Sequence, residues 1–519
     1  MPNLNKNKII NTNFLYVIFL GIFSFFINFY YSSLGSFPID TFLHYDSANR
    51  ILNGELPIRD FWVVSGLTTD YIQAFFFKVF GNNWYAYIIH SSLFNCIIAL
   101  TIYFFFLSTG LKKTKAFLYS LSFSILSYTI SGTPFVDLHA TYLLLISTLI
   151  LINNLNTKKN YLWVLIILLL FLSFFSKQVP SAYAVVAYTC ILIPYFIYKK
   201  NYNRIFSCVV IAILFLTICY FLLELLEIDL RIFYIQYIDY PRTIGSERLI
   251  NFDINIVGFF NKYKFIIIPY LILIFLNSRK KKVLENVISL FIISSFIFVI
   301  IFHQLMTKNQ IYIYFLVPLL FGLVDCELQL THYKYKKYLS ISLILILTFV
   351  TFKYHLRFNE NRKFHELTKI QLNESVKAEK LHRSLKGLNW KNPRYKGSSL
   401  EEIIILNNAQ KILNNEEEYK KAMMITHYQF LDSIVKKKLF YPNRTFTVDG
   451  ASMPLLDNKH FKIYKSFLQK KIIDTRTNKI IFFKHEDISR RALTDYIDRK
   501  CFNLIENEIF EIYELSCFK

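Results

Sequence analysis

Apolar and polar residues alternate on two different scales along this chain. Over the first two thirds, long apolar runs are separated by short polar loops. A helix that crosses a membrane needs about 20 mostly apolar residues, and the first such run is Ile9 to Tyr31. Further runs lie near 84–109, 116–133, 138–154, 161–176, 180–198, 205–226, 263–277, 283–303, 310–325 and 338–352. The pattern predicts about 11 transmembrane helices in a polytopic all-α membrane domain over residues 1–352, with a first loop at 32–83. The first run is longer than the apolar part of a secretory signal and no small-residue cleavage site follows it, so it is read as a retained span.

Basic residues test that register. With the N-terminus on the cytoplasmic side, the inner segments carry Lys6 and Lys8, then Lys112, Lys113 and Lys115, then Lys158 and Lys159. Lys199, Lys200 and Arg204 follow, then Arg279 to Lys282, and finally Lys334, Lys336 and Lys337. The short outer turns carry almost none, with Lys177 and Lys308 each alone in theirs. Alternation of this kind is the positive-inside bias of a multi-pass membrane protein. The high Asn, Lys and Ile content suggests an AT-rich bacterial genome, and with it the inner (plasma) membrane of a bacterium. An odd number of spans puts the tail outside, in the periplasm. The composition agrees: 54% of the 519 residues are hydrophobic and only 18% are charged, which excludes disorder, coiled coil and an ordinary soluble enzyme. The net charge of +23 is then partly topological and calls for no nucleic acid. The 7 cysteines show no metal-ligand spacing.

From residue 353 to 519 the chain is charge-rich, with turn signals at Asn392-Pro393 and Tyr441-Pro442-Asn443. Leu356 to Leu385 reads as a polar helix. Beyond it the apolar runs Ile403–Leu406, Ala422–Thr426, Lys479–Phe483 and Ile509–Leu515 alternate with helix-like stretches, which predicts a small C-terminal periplasmic α/β domain. Cys501 and Cys517 stand 16 positions apart. In an oxidising compartment they are expected to form a disulfide, contributing about 3 kcal/mol on the loop-entropy model. Two free buried thiols are the alternative.

The first outer loop holds most of the candidate chemistry. Asp40, Asp46, Asp60 and Asp70 fall within it, together with Arg50 and Arg59. Asp46 to Asn53 reads as a short helix, with Asp46 as N-cap and Gly54 as its stop. From Thr68 onward, Tyr71, Ile72, Phe75, Phe76 and Val79 share one face of a second helix, of a kind that lies in the membrane interface.

An acidic residue just after the first span, a short helix ending in Asn53-Gly54, then Arg59-Asp60-Phe61 and a Gly-rich turn resemble the GT-C glycosyltransferases. More narrowly, the loop resembles the bacterial branch related to protein O-mannosyltransferases and aminoarabinose transferases acting on lipid A. That branch opens its first periplasmic loop with an Asp-Glu pair about fourteen residues before the glycine. Asp40 stands 14 before Gly54, and Thr41 replaces the second acid, which leaves either Asp40 or Asp46 as the catalytic base. The stretches SGTPFVDLHA, FFSKQVPS and KNQIYIYFLVPLL are weaker echoes. The resemblance implies transfer of a sugar from a polyprenyl-phosphate donor to a hydroxyl on a lipid, glycan or protein, without a metal cofactor. A carboxylate would take the proton of the attacking hydroxyl, and cations would stabilise the departing phosphate.

Other ionisable residues at span ends are candidates for substrate contact. Asp137 and His139 sit at the outer mouth of the third and fourth spans, and the alternative for Asp137 is a helix start. Lys177 ends an apolar span at the depth of a lipid phosphate, although a snorkelling role also explains it. Lys308, with His303 nearby, occupies a similar place. Arg59 is a further candidate, and with Asp60 it also reads as an exposed pair. Arg231, Arg242 and Arg248 in the outer loop 227–262 read as solvated charges. Two competing classes are a glycan polymerase or ligase, for which that loop is only moderate in size, and a lipid or glycan transporter. The transporter reading lacks clear internal repeats and Gly/Pro-broken spans.

Overall fold

The protein is seen in a computed structural model that describes residues 3–157, 159–250, 255–279, 283–307, 313–363, 367–415, 419, 421–447 and 450–518. In chain order the helices are α1 (Asn3–Ser32), α2 (Pro38–Thr41), α3 (Leu43–Leu52), α4 (Leu67–Phe80), α5 (Trp84–Ser108) and α6 (Lys113–Leu126). Then come α7 (Val136–Thr157), α8 (Tyr161–Ser176), α9 (Gln178–Tyr198), α10 (Tyr202–Leu225), α11 (Leu230–Tyr234) and α12 (Tyr240–Ile250). The apolar region ends with α13 (Ile256–Ser278), α14 (Leu284–Thr307), α15 (Leu316–Gln329) and α16 (Lys336–His355). Two compact units are assembled from interleaved segments: residues 1–33, 88–216 and 252–369 form one, and 34–87, 217–251 and 370–519 form the other.

The first unit is all helix through its apolar part. Each of the eleven runs predicted to span carries a helix (α1, α5–α10 and α13–α16). Among the described residues, 8 of these are long and apolar enough to cross a membrane, which fits a multi-pass membrane protein. The other three, α6, α8 and α15, have 14, 16 and 14 residues, below the length of about 20 that a crossing requires. Helix α10 buries none of its side chains, whereas α7 is mostly buried among its neighbours. Small polar side chains join the packed helices. Asn28 Nδ2 donates to Ser91 and Ser92, both at 3.1 Å, and Asn95 Nδ2 donates to the Ser24 carbonyl at 2.7 Å. Such bonds replace the hydrophobic driving force that is absent between helices in lipid.

The second unit is α/β. Helices α17 (Lys369–Asn373), α18 (Ser399–Asn415), α19 (Phe461–Asp474) and α20 (Arg491–Thr494) accompany the strands. Strands β1 (Arg362–Lys363) and β2 (Leu367–Thr368) form one short hairpin just before this unit, and β3 (Val376–Lys377) and β4 (Asn389–Trp390) pair within it. The main sheet joins β5 (Ala422–Ile425), β6 (Lys479–Phe483), β7 (Phe502–Glu506) and β8 (Phe510–Leu515) in the order β5-β6-β8-β7. Strands β5 and β6 are parallel, with Met423 opposite Ile480, and α19 lies in their connection. Every residue of both strands is buried, as in a sheet covered on its two faces. Tyr464, Leu468 and Ile472 of α19 pack with Met423, Ile425, Ile480 and Phe482.

The first loop is part of this unit. Phe42 stacks on Phe430 at 4.2 Å between ring centroids, and the Trp62 amide donates to the Pro442 carbonyl at 2.9 Å. The Arg50 guanidinium donates to the Tyr441 carbonyl at 2.8 Å.

Three local expectations need correction. The stretch Leu356–Leu385 is not one helix; its described residues form a π-helical turn, short strands, the five-residue α17 and two 3₁₀ turns. It offers no continuous apolar stripe to bury, and a helix without one is marginal. Ile403–Leu406 lies inside α18 rather than in a strand. Asp46 is not an N-cap, because α3 begins three residues earlier and Phe42 holds that position.

Candidate functional site

In the second unit a cavity of about 850 Å³ carries Asp40 on its wall. The turn that presents Asp40 follows from Pro38, whose fixed φ suits the first position of a helix. The Asp40 amide then bonds to the Phe37 carbonyl at 3.0 Å, and the residue is half-buried. Around it stand Phe37, Arg394, His427, Asp457 and Asp487, together with the apolar Leu455 and Ile488. The Arg394 guanidinium lies over the Phe37 ring, 4.8 Å from its centroid. Arg491, also on the wall, pairs with Asp495 at 3.1 Å. The cavity therefore combines apolar and aromatic surface with carboxylates and a stacked cation, a lining that suits a polar ligand with apolar faces.

His427 is held in one tautomer. Its Nε2–H donates to the Phe446 carbonyl at 3.0 Å, so Nδ1 carries the lone pair. Burial keeps this imidazole below its ordinary pKa. Behind it, the buried carboxyl of Glu486 accepts from the His427 amide at 2.7 Å and from the Thr426 hydroxyl at 2.6 Å. Burial pushes Glu486 up to about 8 despite those bonds.

Asp46 has a different setting. It is 1% exposed, Arg50 Nη1 stands 4.0 Å away, and neither carboxylate oxygen accepts a hydrogen bond among the described residues. Burial pushes its pKa up to about 8, against the pull of Arg50. The guanidinium of Arg50 is committed to Glu55 at 2.6 Å and sits over the Phe61 ring at 3.7 Å. Asn49 joins the cluster by donating to Asp432 at 3.0 Å, and burial raises the Asp432 carboxyl to about 6. A second buried set joins His44, Asp70 and Arg444: Asp70 Oδ1 lies 2.6 Å from His44 Nδ1 and 2.9 Å from the Arg444 guanidinium. Arg444 also reaches the Ser65 carbonyl and fills the space beside Gly66, whose φ of +88° favours glycine.

Arg59 is a partly exposed ion-pair partner. It meets Asp60 at 2.9 Å and Glu227 at 3.9 Å, and it does not line the cavity.

In the first unit three of the candidate residues converge. Asp137 lies in the first turn of α7, where the helix N-terminus favours a carboxylate. Its Oδ1 accepts from Lys177 Nζ at 2.6 Å and from His303 Nε2 at 2.7 Å. Lys177 sits in extended backbone between α8 and α9, and His303 lies near the end of α14. Lys177 is 22% exposed, against 4% for Asp137 and 7% for His303, so its ammonium is the accessible member. His139 belongs to a separate set: its Nδ1 lies 2.6 Å from the Tyr128 hydroxyl and its Nε2 2.8 Å from Nε2 of His90. Lys308 lies outside the described residues.

Arg394, His427 and Asp487 were not anticipated at the site. They follow Asp40 by more than 350 positions, and no spacing in the sequence links them to it. Cys501 and Cys517 form a disulfide beside β7 and β8. Among the described residues no group of three or more His, Cys, Asp or Glu is arranged to hold a metal ion. No protein-family model matches this chain, and comparison with curated proteins yields no match.

Proposed function

We propose that this protein is an inverting glycosyltransferase that moves a sugar from a polyprenyl-phosphate donor to a hydroxyl acceptor at the outer face of the membrane. The observation that carries the reading is the position of Asp40, a carboxylate on the wall of an 850 Å³ cavity. In the proposed step Asp40 takes the proton of the acceptor hydroxyl as its oxygen bonds to the anomeric carbon. The bond from that carbon to the phosphate oxygen breaks, and the phosphate departs with the electron pair. Taken by itself, the first unit offers the accessible ammonium of Lys177, with His303 beside it on Asp137, as its candidate for a lipid-borne phosphate.

The proposed orientation has the N-terminus in the cytoplasm and residues 370–519 in the periplasm. It is supported by the alternation of basic loops and by the Cys501–Cys517 disulfide, which suits an oxidising compartment. The test is release of radiolabelled sugar from polyprenyl-phosphate donors by the purified protein and by Asp40→Asn and Asp46→Asn. Turnover is expected to fall about 10²- to 10⁴-fold in Asp40→Asn, the usual contribution of a general base, and to survive in Asp46→Asn. Wild-type turnover in Asp40→Asn would remove Asp40 from the mechanism.

A further inference from the structure

Helix α4 is amphipathic with its faces reversed. The side turned inward is largely polar: Thr69, Asp70 and Gln73 are each 0% exposed. The side turned outward is apolar: Tyr71, Phe75, Val79 and Phe80 are 41%, 62%, 55% and 52% exposed. Residues 71, 75 and 79 recur at four-residue intervals and make one stripe along the helix. A helix on the surface of a water-soluble domain shows the opposite arrangement. The reversal is fixed by specific bonds, because Asp70 is held by His44 of α3 and by Arg444. Turning the apolar stripe inward would break both bonds and leave the buried cation unpaired.

We propose that α4 lies flat in the headgroup boundary of the lipid bilayer, with Tyr71, Phe75, Val79 and Phe80 inserted among the acyl chains. Three observations select lipid over a protein partner. Only Gly81, Asn82 and Asn83 separate α4 from α5, itself long and apolar enough to cross a membrane. Three residues reach about 10 Å at full extension, so the helix cannot stray far from the point where α5 enters the bilayer. The exposed stripe carries two Phe, one Tyr and one Val, the kind of apolar face that an interfacial helix buries at the acyl boundary. Lys78, the one charged residue on the exposed side, has a stem long enough to return its ammonium to the headgroups. The inference does not depend on the transferase reading.

The experiment uses the full-length protein in nanodiscs of phosphatidylethanolamine and phosphatidylglycerol, with the photoreactive residue p-benzoylphenylalanine at one position. Phe75 and Tyr71 are the test positions, and Glu401, exposed on the polar α18, is the control. Mass spectrometry after irradiation is expected to find lipid adducts at 75 and 71 and none at 401. Two independent test positions guard against one variant failing to fold. Adducts joining two copies of the chain, or no lipid adducts at either test position, would overturn the proposal.

Discussion

Asp40 and Asp46 stand six positions apart in one loop, and the regions around them differ in nearly every physical respect. The cavity region sets Asp40, half-buried, in a wall that also carries an exposed arginine and a neutral histidine. The neighbouring region encloses Asp46 completely, beside an arginine already held by another carboxylate. A general base must reach the proton it removes. A carboxyl sealed among Arg50, Glu55 and Asp432 has no such access, however high its pKa. A raised pKa alone is therefore a weak guide to catalysis in this loop, because Asp46, Asp70 and Glu486 are all pushed up to about 8 by burial. Access to the cavity separates Asp40 from them.

The sharpest way to break this contrast is the turnover comparison already described, with about 10²- to 10⁴-fold expected between Asp40→Asn and Asp46→Asn. Equal losses in the two variants would show that the cavity wall has no privileged role. The next largest effect concerns stability. Arg50→Ala should destabilise the protein by about 3 kcal/mol, because it takes the buried partner from Glu55 and leaves that carboxylate with only the more exposed Lys438. Arg394→Ala, which removes an exposed cation from the cavity wall, should change stability by less than about 0.5 kcal/mol. Chemical denaturation of both variants checks the pair. Similar losses would mean that the cavity wall is as structurally committed as the buried cluster.

Much of this arrangement was legible in the sequence, and the reason differs from part to part. Run length identified the helices of the apolar region, since little except a bilayer demands so many apolar residues in succession. Length also explains where that reading is weakest, at the 14-residue α6 and α15. Asp137, Lys177 and His303 were each conspicuous as ionisable residues at span ends. Their convergence on one oxygen was not legible, because 40 and 166 positions separate the partners. In the tail, apolar runs revealed β5, β6 and β8, whose residues are mostly or wholly buried. Strand β7, with four of its five residues exposed, left no such trace. Asp46 looked as suitable as Asp40 because spacing carries no information about burial.

The smallest increment, read per pH unit, isolates the proton on Asp46. Burial raises this carboxyl from 3.8 to about 8. Between about pH 4 and 8 the folded chain then keeps a proton that the unfolded chain has released, so this group's contribution to stability falls as pH rises. Arg50 faces it with positive charge, and Asp432, Glu55 and Asp70 with negative charge. Asparagine has the shape of the protonated acid and does not titrate. Asp46→Asn should therefore match the wild type only at or below about pH 4 and gain on it by about 1.4 kcal/mol for each pH unit up to about pH 8. Asp70 and Glu486 titrate in the same window, but they do so in both proteins and cancel from the difference. Thermal unfolding of the detergent-solubilised pair across pH 5–8 makes the measurement. A gap that stays constant with pH would mean that Asp46 is ionised throughout and works as a second counterion to Arg50.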